Sequence, residues 1–190
     1  EEDFEKAAAG YQEAFQANPN LLVALGEVAG TRIDMAQGRL ERGMDPGPAL
    51  AEAEAHLDRI GNRSSDLGQT LFFRGRIALL RGRWLLASGV NPGPEWARAE
   101  AAFRKVAPLS SYRLMSHVGR AEVRARAFLR WGRVQDRMQA LASAREALVR
   151  DPLRAEAWLW IAAVEQQALR RGDGADGPKA REAWAKALSL

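Results

Sequence analysis

The stretch Ala180-Arg181-Glu182-Ala183-Trp184-Ala185-Lys186-Ala187 decides the fold, because its row Ala180, Trp184, Ala187, at offsets of four and three, returns along the chain. Ala140, Ala144 and Ala147 repeat the offsets, with Pro152 five residues on. Ala99, Phe103 and Val106 repeat them before Ser111, Ala53, Leu57 and Ile60 before Ser65, and Ala7, Tyr11 and Ala14 before Pro19. One such match means little in an alanine-rich helix. The leading alanines, however, lie 46, 46, 41 and 40 residues apart, and that even spacing marks a repeat. The residue types have a mechanical reading. A small residue lets the two helices of a hairpin approach, a larger one a turn later fills the gap to the next hairpin, and proline or serine ends the helix. No such hairpin buries its apolar face alone, so neighbours must stack.

A second repeated feature sits between the rows. Gly43-Met44-Asp45-Pro46-Gly47-Pro48 returns 46 residues later as Gly89-Val90-Asn91-Pro92-Gly93-Pro94. The first glycine closes one helix in a left-handed conformation, and Asp45 or Asn91 caps the next with proline in its first turn. Gly132 to Asp136 and Gly172 to Pro178 are degenerate versions. The glycines and aspartates of 172–177 lack the alternating ligands and closing glutamate of a calcium loop and read as a helix connection.

Composition agrees. Apolar residues make up 47% of 190, enough for a sizeable core, and Val, Ile and Thr are too sparse for strands. Trp96, Ala99, Phe103 and Val106 show the helical period, and the class is all-α. There is no cysteine, which excludes disulfides, thiolate metal sites and cysteine nucleophiles. Net charge is +4, with arginines interleaved with Glu and Asp, the pattern of a solvated helical surface rather than a nucleic-acid stripe. No apolar run reaches the roughly 18 residues of a membrane span, and no signal-peptide pattern is present.

These residues resemble the tetratricopeptide repeat. Its signature is tryptophan, leucine-glycine and tyrosine in the first helix, then alanine, a large aromatic and a closing proline in the second. Trp158, Ile161 and Ala162 fill the first-helix slots of the best copy, Ala180 and Trp184 the second, and Pro152 closes the copy before it. Weaker first-helix copies hold Leu25 with Ala29, Leu71 with Gly75 and His117 with Ala121, and Arg74 and Arg120 occupy a slot usually apolar. The resemblance implies a right-handed superhelical stack of antiparallel helical hairpins, an α-solenoid of about nine helices. One domain is expected over 1–190: a lone second-type helix at 3–17, then hairpins at about 20–62, 65–108, 111–150 and 153–190. The period exceeds the usual 34 or so, and the surplus falls between the helices of a hairpin. First helices should therefore gain one to three turns; Ser65 to Ser88, wholly helical, would span about 36 Å. This expanded form is similar to repeat regions on the C-terminal side of bacterial, myxobacteria-like protein Ser/Thr kinases. The preponderance of arginine over lysine suits such GC-rich genomes, although no kinase motif occurs here.

No catalytic, cofactor or metal constellation stands out. No glycine-rich phosphate loop is present. The two histidines, His56 and His117, lie in different repeats, and only Glu52 is at metal spacing from either. Ser64, Ser65, Ser110 and Ser111 read as helix caps. Trp96, Trp158 and Trp184 read as core; Trp84, Trp131 and Trp160 fall outside the repeat slots. The expectation is a cytoplasmic scaffold without enzyme activity or cofactor, holding a peptide or helix of a partner protein. The rival is an Arg-rich solenoid on nucleic acid, which a steep salt dependence would reveal. In the resemblance, inner faces of first helices line the groove, which picks out Phe72, Arg76, Glu122, Leu159 and Gln166. Arg126 joins them one turn beyond Glu122, with Gln69, Met115 and Glu156 at the edge. Arginines among apolar groups imply a partner segment bearing carboxylates. The alternative is that this face is merely solvated and that contacts use the convex side or the ends. Uncapped terminal helices, and a chain opening on Glu1 without methionine, read as a piece of a longer protein or as ends that self-associate.

Overall fold

The computed structural model describes residues 2–61, 67–109, 112–175 and 177–190. The four serines read as caps lie outside these. Among the described residues there are nine α-helices and no strand. In chain order they are α1 (Glu2–Ala17), α2 (Leu22–Glu41), α3 (Gly47–Ile60), α4 (Leu67–Ala87), α5 (Gly93–Val106), α6 (Arg113–Trp131), α7 (Val134–Arg150), α8 (Ala155–Arg171) and α9 (Gly177–Ser189). The first helices of the hairpins, α2, α4, α6 and α8, have 20, 21, 19 and 17 residues. Their partners α3, α5, α7 and α9 have 14, 14, 17 and 13. The longer period thus resides mainly in the first helices.

The turns show why the hairpins form. Gly43, Gly89, Gly132 and Gly172 all have φ between 72° and 74°, where a Cβ is strained. At three of them the same pair of bonds satisfies the carbonyls left open at the helix end. The amides of Gly43 and Met44 donate to Leu40 and Arg39, those of Gly89 and Val90 to Leu86 and Leu85, and those of Gly172 and Asp173 to Leu169 and Ala168. The next helix is then started by a side chain. Asp45 accepts from the Gly47 amide at 2.8 Å, and Asn91 accepts from Gly93 at 3.0 Å. Pro46, at the cap position just before α3, already has helical torsions, and Pro48 sits in the first turn, where its missing N–H costs nothing.

The chain divides into two compact units, Glu1–Ala102 and Phe103–Leu190. In the first, α2 packs on α1, α3 and α4, and Leu25, Ile33, Leu50, Leu57 and Ile77 centre the core. In the second, α6 packs on α7 and α8, and α8 on α9, around Phe128, Ala144, Ile161 and Val164. The alanine rows of α3, α5 and α7 point inward: Ala53, Ala99 and Ala144 have no exposed surface. The row on α1 does not. Ala7 is exposed and Tyr11 is 40% exposed, while Ala8 is buried. Neighbouring alanines left that register open by one residue, and α1 packs on α2 through the Ala8 side.

Charge also holds helices together. In the second unit, Arg124 and Arg133 both reach the buried Asp136, at 2.9 and 2.6 Å. Arg137 reaches the buried Glu165 at 2.7 Å and donates to the Asp173 carbonyl at 2.8 Å. In the first, Arg81 grips both oxygens of Glu54, tying α4 to α3. No helix of the described residues is long and apolar enough to cross a membrane.

Candidate partner-binding surface

In each unit, two successive first helices lie side by side: α2 with α4, and α6 with α8. The candidate residues lie on these pairs, but they differ in what they can offer a ligand. Phe72 is 8% exposed, with its ring 5.9 Å from that of Phe73, which packs on the first core. It contributes to packing rather than to an open surface, a correction to its place in the groove. Arg76 is half-buried and donates to Asp34 at 2.8 Å and to Gln37 at 3.2 Å. Gln69 donates to Glu27 at 3.2 Å. These cross-helix bonds reach from α4 back to α2 at nearly constant spacing, so they fix the offset of the two helices while occupying the polar groups.

The second unit is more open. Glu122 and Arg126 pair at 2.8 Å on α6, and the Arg126 guanidinium lies 5.0 Å above the Trp160 ring of α8. Such stacking is worth about 0.5–2 kcal/mol and orients the arginine. At the α8 N-terminus, Arg154 contacts Met115 of α6 and lies 3.4 Å from Glu156. Leu159 is 38% exposed and Gln166 is half-buried. Helical spacing adds two groups to this face. Leu129, three residues after Arg126, is 37% exposed, and Arg170, four after Gln166, is exposed with no ion-pair partner among the described residues. The sequence reading missed both, and continuing its own offsets by one turn would have found them. It also missed Trp160, whose role depends on a contact between helices.

The remaining conspicuous residues are structural. Trp96 is buried, and Trp158, Trp160 and Trp184 pack against the second core. Glu52 pairs with Arg32 at 2.9 Å. Among the described residues no three acidic or histidine side chains are placed to hold a metal ion.

The histidines make stability depend on pH. In both, Nδ1 is buried without a hydrogen-bond partner. Burial first, then neighbouring arginines (Arg59 and Arg32 for His56, Arg120 for His117), hold the pKa below the ordinary 6.5. The unfolded chain therefore binds protons more readily just below pH 6.5, so stability is full above that pH and falls as pH drops through the lowered folded values. The melting temperature should fall between pH 7.5 and 5.5, and less steeply in a His56→Gln, His117→Gln variant. Parallel curves for the two proteins would contradict this.

No protein-family model and no curated protein matches the chain, so its function has to be argued from these surfaces.

Proposed function

We propose that the chain is a tetratricopeptide-like, right-handed superhelical array that works in the cytoplasm as a protein-interaction scaffold, without enzyme activity. Its partner is an extended or helical segment with apolar side chains and carboxylates, laid along the inner face of the first helices. The observation that carries this reading is the half-open row on the second unit: Glu122, Arg126 and Leu129 on α6, beside Leu159, Gln166 and Arg170 on α8. Leu129 and Leu159 supply apolar area, and the stacked Arg126–Trp160 pair supplies a rigid floor. Glu122 already neutralises Arg126, so attraction for a carboxylate falls mainly to Arg170. In the first unit Arg76 is held by Asp34, which makes that face the poorer binder of acid.

Selection from a displayed library of random peptides tests the proposal. The recovered sequences should combine acidic and aliphatic residues. Leu159→Asp or Arg170→Glu should weaken them about tenfold or more, roughly 1.4 kcal/mol, with the fold intact. Failure to enrich any peptide, or binding by both variants as tight as that of the unmodified chain, would reject the inner face as the binding site.

A further inference from the structure

Charge and exposed apolar surface are distributed unequally along this chain, and the two inequalities match. Residues 1–102 hold 11 Lys and Arg against 15 Asp and Glu, net −4, and residues 103–190 hold 17 against 9, net +8. In the basic unit, α7 carries an outward apolar stripe that its counterparts lack. Val134 and Met138 are 57% and 67% exposed. Counted back from the repeat alanine, the same positions hold Gly47 and Ala51 in α3 and Gly93 and Ala97 in α5. Helical spacing puts Arg145 and Val149 on the same side, and Val149 is 77% exposed. Arg145 and the neighbouring Arg150 are exposed and have no ion-pair partner among the described residues. In the acidic unit, α1 has the reverse chemistry. Its first turn carries Glu2, Asp3 and Glu5. Glu5 is held by Arg32 of α2 and Glu2 pairs with Lys6 at an exposed site, so the open acid is chiefly Asp3. The half-covered stripe leaves Phe4 37% and Tyr11 40% exposed.

We propose that α7 of one copy receives α1 of a second copy, Phe4 and Tyr11 packing along Val134, Met138 and Val149 while Arg145 and Arg150 meet the acids of α1. A single contact then covers both uncovered helix faces and joins opposite charges. A nucleic acid would use the arginines but has no use for a stripe of valine and methionine, and it would leave the acidic α1 unexplained. Because the contact joins different surfaces, assembly continues past the dimer unless a ring closes. One helix against another buries less than a standard interface, so the contact is weak and shifts with concentration.

Light scattering on the eluted protein, from about 1 to about 100 µM in low salt, spans the affinity range expected of such a contact. The mean mass should climb above the monomer with concentration and return towards it in high salt. Met138→Glu, at a site too exposed to disturb folding, should raise the dissociation constant at least about tenfold. Arg145→Glu with Arg150→Glu should act alike, as should Glu2→Lys with Asp3→Lys. Mixing these two charge-reversed proteins should restore association, because the two reversed faces match each other and the two unreversed faces meet as in the wild type, whereas each protein alone stays monomeric. A wild-type chain that stays monomeric throughout overturns the proposal, including one that instead binds single-stranded DNA through Arg145 and Arg150. So does association that Met138→Glu and both reversals leave unchanged.

Discussion

Replacing Phe103 by alanine should destabilise the second unit by about 3–5 kcal/mol, among the largest losses expected from a single side chain in this protein. Phe103 is 1% exposed, and its ring lies against the backbone of α6 at Gly119. A Cβ at Gly119 would stand 2.7 Å from two ring carbons, closer than side chains tolerate. That contact reverses the usual sign of a helical glycine substitution. Gly→Ala within a helix ordinarily stabilises by about 0.5–1 kcal/mol. Here Gly119→Ala should cost about 1–3 kcal/mol through overpacking. The cost should largely vanish in a Phe103→Leu background, giving a coupling of about 1–3 kcal/mol in a double-mutant cycle read by urea denaturation. Additive effects would mean that the ring does not sit on Gly119.

The second large effect is electrostatic. Glu165 and Arg137 form a pair whose side chains are only 6% and 15% exposed. Removing one partner leaves the other charge stranded, which for buried pairs costs about 3–5 kcal/mol. Arg137 keeps its bond to the Asp173 carbonyl and some access to water, so Glu165→Ala should cost about 2–4 kcal/mol. The pair Arg74–Asp58, with side chains 44% and 67% exposed, is the control, and Asp58→Ala should change stability by under about 1 kcal/mol. Thermal or denaturant melts of the two variants check the contrast. Equal effects would show that burial is not what gives the Arg137 pair its weight.

The hairpins were legible because their determinants are local. A glycine at φ near 72° followed by Asp45 or Asn91 and a proline specifies a turn within six residues, and the first two hairpins carry it in full. What depends on distant contacts was not legible. Three consecutive alanines on α1 allow two registers, and only packing against α2 selects Ala8 over Ala7. The inner-face arginines looked available because sequence shows a residue type, not its partner. Asp34 lies 42 residues from Arg76, and their pairing follows from the offset of α2 and α4. Phe72 was assigned to the groove by its place in the repeat, yet the ring lies against Phe73 and is covered. The Val134–Met138 stripe was visible in the sequence in principle, as large apolar residues where α3 and α5 carry glycine and alanine. Its meaning depended on knowing that those positions face outward.

The central claim is that the inner face of the first helices holds a partner segment. It is tested most directly by recording amide chemical shifts of the labelled chain while a library-selected peptide is added. The account predicts perturbations concentrated on α6 and α8, around Glu122, Arg126, Leu129, Leu159 and Gln166, with α7 and α9 little affected. Perturbations confined to the outward side of α7 or to the chain ends, with the α6–α8 face silent, would contradict it.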